Sequence, residues 1–104
     1  MKMVLLMYLE EDRGCVERLL ADHEVPVFTE LDAEGHRPGR GPGWYGRSAP
    51  YASSMVVAIV PDDRAHELLT AVEACTGLED ARHPIHAYQL GVERSAATGP
   101  RDED

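Results

Sequence analysis

Ser54–Asp63 reads SMVVAIVPDD, an apolar run that stops at a proline and two aspartates. The run does not alternate, and a strand apolar on both sides belongs at the centre of a sheet, covered on each face. Asp62 or Asp63 can cap a helix, and Ala65, Leu68, Leu69, Val72 and Cys75 follow on one face of it, ending at Gly77. The stretch is a strand running into a helix. Met3–Leu9, MVLLMYL, repeats the pattern: Asp12 can cap a helix in which Val16, Leu19 and Leu20 fall at i, i+3 and i+4, ending near His23.

Outward from these two units, each helix is followed by a short run of period two. These are Val25–Leu31, through Val25, Val27 and Thr29, and Ile85–Val92, through Tyr88, Leu90 and Val92. The order is βαββαβ, a weak duplication of one strand-helix-strand unit. It predicts an α+β, ferredoxin-like fold with a four-stranded antiparallel sheet and two helices on one face. Strands one and three should be the central pair, read here as parallel to each other, with Val4, Leu6, Leu19, Leu20, Val57, Ile59, Leu68, Leu69 and Val72 in the core. One domain spans residues 1–94, since 104 residues suffice for a single two-layer core. The remainder, SAATGPRDED over 95–104, has nothing to bury and reads as a disordered tail.

Residues 32–53 join strands two and three. They contain five glycines, three prolines, the only tryptophan and two of the four tyrosines. Gly35 to Ser53 holds no acidic residue but includes His36, Arg37, Arg40 and Arg47, in a chain of net charge −9. A basic, aromatic loop on an acidic body suits an anionic ligand or an acidic partner. Arg40, Trp44, Tyr45, Arg47 and Tyr51 are the candidate partner contacts, and the glycines favour mobility from Arg37 to Ala52. The glycines fit neither GxxxxGK[ST] nor GxGxxG, so no phosphate-binding loop is indicated. Ten Lys+Arg against nineteen Asp+Glu argue against nucleic acid.

Cys15 and Cys75 stand 60 positions apart without a CxxC, which suggests buried free thiols rather than a disulfide framework. The longest apolar runs are seven residues, against about 20 for a membrane helix. Nor does the N-terminus have the layout of a signal peptide, and a cytoplasmic location is expected.

Four segments resemble the PII signal-transduction family, trimeric nitrogen-regulatory proteins of ferredoxin-like fold. They are Met1-Lys2, Phe28–Leu31 leading into Glu34–Gly39, Val57–Asp63, and Thr76-Gly77 before the last strand. The resemblance implies a non-catalytic sensor or adaptor and a homotrimer. Its long loop, the family's T-loop, would contact a target protein. A ligand cleft between subunits would involve Gly35, His36, Arg37, Thr76, Gly77, Arg82 and His83. In the family that cleft takes ATP or ADP, often with a small carboxylic acid and magnesium. Here Arg37 stands in place of a metal-holding glutamine, and Leu78–Pro84 replaces the glycine-bearing run that cradles phosphates. The resemblance is therefore to a divergent member lacking the usual ATP-binding motif, with the ligand open between an adenine nucleotide and a divalent transition metal.

Histidine supports the metal alternative. Imidazole suits zinc, copper or nickel, and His36, His83 and His86 fall at the loop base and before the last strand. Glu34-Gly35-His36 resembles the glycine-histidine pair of PII-like relatives found beside heavy-metal efflux systems, which makes a membrane protein one candidate target. A different class of function is a small ferredoxin-like enzyme using its histidines and Tyr88 in an enclosed cavity. A purely structural trimer is the third reading.

Overall fold

The structure, a computed structural model, describes residues 1–36, 51–74 and 85–99. Strand β1 is Lys2–Leu9, followed by a 3-10 turn over Glu10–Asp12 and helix α1 over Arg13–Asp22. Then come β2 (Thr29–Gly35), β3 (Tyr51–Val60), α2 (Asp62–Glu73) and β4 (His86–Gly91). The sheet order is β2-β3-β1-β4, and every neighbouring pair is antiparallel. The expected α+β, ferredoxin-like βαββαβ architecture is therefore present. The central pair is β1 and β3 as expected, but it is antiparallel, not parallel. α1 carries the chain back so that β2 runs along β1, and the reversal into β3 then sets β3 against both.

Side chains alternate across a strand, and among the described residues the helices cover one face of this sheet. Val4, Leu6 and Tyr8 of β1 and Val56, Ala58 and Val60 of β3 pack with Val16 and Leu20 of α1 and Ala65 and Leu68 of α2. Leu19, Leu69 and Val72 pack at the margin of this core. Val57 and Ile59, expected inside, are on the other face, where Ile59 is 48% exposed. A run apolar at every position does not reveal which set of alternate residues meets the helices. Cys15, expected to be buried, is exposed on α1.

The open face is nearly all apolar. Across the sheet its rungs read Leu31, Met55, Met7, His86; then Thr29, Val57, Leu5, Tyr88; then Ile59, Met3, Leu90. Leu31, Tyr88 and Leu90 each expose more than a third of their surface there.

Two boundaries differ from expectation. α1 ends in a Schellman turn: the Glu24 N–H donates to the Ala21 carbonyl at 3.1 Å and the Val25 N–H to the Leu20 carbonyl at 2.9 Å. Glu24, at φ 58°, occupies the left-handed position usually given to glycine. Arg64 Nη1 on α2 secures this turn by donating to the His23 carbonyl at 2.8 Å and to Glu24 Oε2 at 2.7 Å. The turn directs Val25 into the core, and Pro26 has no N–H to pair. Strand β2 accordingly begins at Thr29 rather than Val25 and continues to Gly35, shortening the connection from 32–53 to 36–50. Tyr51 and Ala52, expected in a mobile loop, belong to β3. α2 starts after Pro61 with Asp62 and Asp63 in its first turn, where carboxylates suit the helix dipole, and stops at Glu73 instead of reaching Gly77.

Candidate functional site

The end of β2, the beginning of β3, the end of β1 and the beginning of β4 all lie at one end of the sheet. Gly35 pairs with Tyr51 as the last rung of the β2–β3 stem. His36 follows directly, its Nε2 lying 3.0 Å from Glu34 Oε2. His86 starts β4 opposite Met7. The expected site residues Gly35, His36 and His86 thus share one end of the sheet. They do not meet, however, since β2 and β4 are its opposite edges, three strand spacings or roughly 14 Å apart.

Arg37, Arg40, Trp44, Tyr45 and Arg47, with Thr76, Gly77, Arg82 and His83, lie outside the described residues, as does the side chain of Tyr51. Among the described residues no three His, Cys, Asp or Glu side chains are grouped to hold a metal. An open hollow of about 290 Å³ between α2 and β4 is lined by Leu69, Val72, Glu73 and Ile85–Tyr88. His86 and Tyr88, the residues expected in an enzyme's cavity, both line it.

The stem itself holds a polar network. Fully buried Tyr8 donates its hydroxyl to Glu30 Oε2 at 2.6 Å. Arg13, at the start of α1, donates through Nη2 to Asp32 and to Ser54 Oγ, the latter at 3.0 Å. Its Nε is 3.6 Å from Glu30 Oε2. Burial, and then the bond to Glu30, raise the phenol pKa of Tyr8. The hydrogen bond to Asp32 holds Arg13 more firmly protonated. Glu17 on α1 is raised by sharing a hydrogen bond with Glu30 and by that residue's charge.

No protein-family model and no curated protein matches the chain. Solved structures do. CPII, a nitrogen regulatory PII-like protein from Thiomonas intermedia whose structure holds ADP, AMP and bicarbonate, matches with a TM-score of 0.61 at 18% identity, over 91% of this chain and 94% of that one. A PII-like signalling protein from Thermus thermophilus matches at 0.62 and 16% identity, over 86% and 83%.

The fold is PII-like. Both strand-helix units are needed to fill that coverage, so the PII-like match is to the whole βαββαβ architecture rather than to one half of it. Within this PII-like frame the stem network was not anticipated from sequence. Its only signal was Glu30, Asp32 and Glu34 at alternate positions, which becomes visible once β2 is extended to Gly35. Arg13 gave no signal, because nothing in the sequence places the start of α1 over the second strand.

Proposed function

We propose that the protein is a non-catalytic, PII-like sensor or adaptor of the nitrogen-regulatory kind. It takes a small ligand in a cleft between the subunits of a homotrimer and signals to a target protein through the 36–50 segment, in the manner of a T-loop. The observation that carries this reading is the PII-like fold over nearly the whole chain, with the β2–β3 stem opening into the acid-free, arginine- and glycine-rich segment. Ligand-linked ordering of a segment is an established way to switch a partner. The open apolar sheet face gives the subunits a surface on which to pack.

The ligand is contacted by Gly35, His36 and Arg37 of one chain and by the Thr76–His86 segment of the same or an adjacent chain. Because His36 and His86 stand on opposite sheet edges, a second subunit is what can complete the cleft. CPII was solved with ADP, AMP and bicarbonate, and the basic set His36, Arg37, Arg82 and His83 suits small anions of this kind. Replacement of the glycine cradle by Leu78–Pro84 disfavours a triphosphate. The same histidines make a transition metal the alternative ligand.

A thermal-shift panel of ADP, AMP, bicarbonate, zinc, copper and nickel tests this, because a ligand that binds the native state raises its melting temperature. At least one should stabilise a trimer seen by light scattering, and His36→Ala or His83→Ala should weaken it. A monomer indifferent to the whole panel, or a shift untouched by both substitutions, overturns the assignment.

A further inference from the structure

We infer that Arg13 is a positioning residue, clamping the β2–β3 stem at its middle rung, Asp32–Ser54, to the helical layer and so holding Gly35 and His36, at the outer end of the stem, where the proposed cleft needs them. The effect on ligand binding rests on the proposed function; the clamp itself does not.

The stem is poorly held by its own side chains. β2 reads TELDAEG, a composition with weak strand preference, and it is an edge strand paired on one side only. From Asp32 outward its cross-strand partners are Ser54, Ser53, Ala52 and Tyr51, three of them too small to pack firmly. Glu30, Asp32 and Glu34 also point to one face, so their charges repel along the strand.

Arg13 offsets this at the rung that matters. Asp32 and Ser54 are cross-strand partners, and Arg13 Nη2 donates to both, so one guanidinium joins the two strands of the stem to α1. Ser54 is 1% exposed, which makes it a buried hydroxyl whose acceptor is satisfied by this contact. Arg13 Nε is buried and has no hydrogen-bond partner among the described residues; it faces Glu30, itself anchored by Tyr8 of β1. The guanidinium meets Asp32 and Ser54 through Nη2 and turns Nε toward Glu30. Lysine would supply the charge but not that geometry.

Hydrogen exchange on the full-length protein tests the clamp. Arg13→Gln should accelerate exchange about tenfold or more in peptides covering residues 31–35 and 51–54 while leaving residues 64–72 of α2 unchanged, because the opening is local. Arg13→Lys should be intermediate, and adding Asp32→Asn to Arg13→Gln should recover part of the protection by removing an uncompensated charge. Should Arg13→Gln fail to fold, Asp32→Asn and Ser54→Ala alone must each loosen the same peptides. Uniform acceleration across the chain, or an unchanged stem, overturns the clamp. ADP titration is read separately: if ADP stabilises the wild type, Arg13→Gln must reduce the shift that ADP produces, each variant being measured against its own ligand-free melting temperature. An ADP-indifferent wild type counts against a nucleotide reading of the cleft, and the exchange pattern still decides the clamp.

Discussion

Tyr8 is fully buried between the helices and the sheet, and its hydroxyl has one acceptor, the Glu30 carboxylate. Ionising it would place a phenolate in an apolar layer beside that carboxylate, so its folded pKa lies above the ordinary value of 10.0. Above pH 10 the unfolded chain releases this proton and the folded chain keeps it. Stability from Tyr8 is therefore complete below about pH 10 and is lost as pH rises beyond it. Tyr8→Phe should cost about 1–3 kcal/mol at neutral pH, by removing a buried hydrogen bond to Glu30, and should flatten the fall of stability between pH 10 and 12 in urea titrations. A slope identical to wild type would show that Tyr8 titrates as in the unfolded chain. At this scale the sequence told only part. His36 and Gly35 could be placed at the foot of a loop from spacing, whereas Tyr8 was visible merely as one member of an apolar run. Its pairing with Glu30 crosses a strand, and no local pattern records that.

Among the elements, α2 distinguishes between neighbours that the periodicity treated alike. Leu68 is fully buried in the shared core and Leu69 packs at its margin. Leu68→Ala should cost about 2–5 kcal/mol in denaturant unfolding, and Leu69→Ala distinctly less. Equal losses would mean that α2 is rotated from the orientation described. The number and type of elements were legible because two apolar runs each led into a 3.6-residue pattern. The inner face of β3 was not, since Val56 and Val57 are chemically identical and only the position of the helices separates them. The start of β2 was missed for a comparable reason. Val25 and Val27 alternate as a strand would, but the turn at Glu24, fastened by Arg64 from 40 positions away, commits Val25 to the core before pairing begins.

At the scale of the whole molecule, the helices leave one side of the sheet bare. Leu31, Met55, Met7, Val57, Leu5, Tyr88, Ile59, Met3 and Leu90 form an apolar band in which Leu31, Ile59, Tyr88 and Leu90 are exposed and the others half-buried. Val57→Glu places a charge at its middle, on a side chain that takes no part in the core. Light scattering should then report the mass of a single chain with an unchanged far-ultraviolet circular dichroism spectrum. If the protein is the trimer proposed above, retention of the trimer mass by the variant would place the subunit contact on another surface. The edge of the same sheet behaves in the opposite way. Unpaired backbone along a border strand invites other chains to add on one after another, and such growth has no natural stopping point. Here the border strand β2 carries Glu30, Asp32 and Glu34, and Arg13 is ion-paired with the first two. A second copy approaching strand to strand brings the same carboxylates against them. Growth along this border is thereby discouraged while packing across the apolar face is not, which favours the closed trimer proposed above over a fibre.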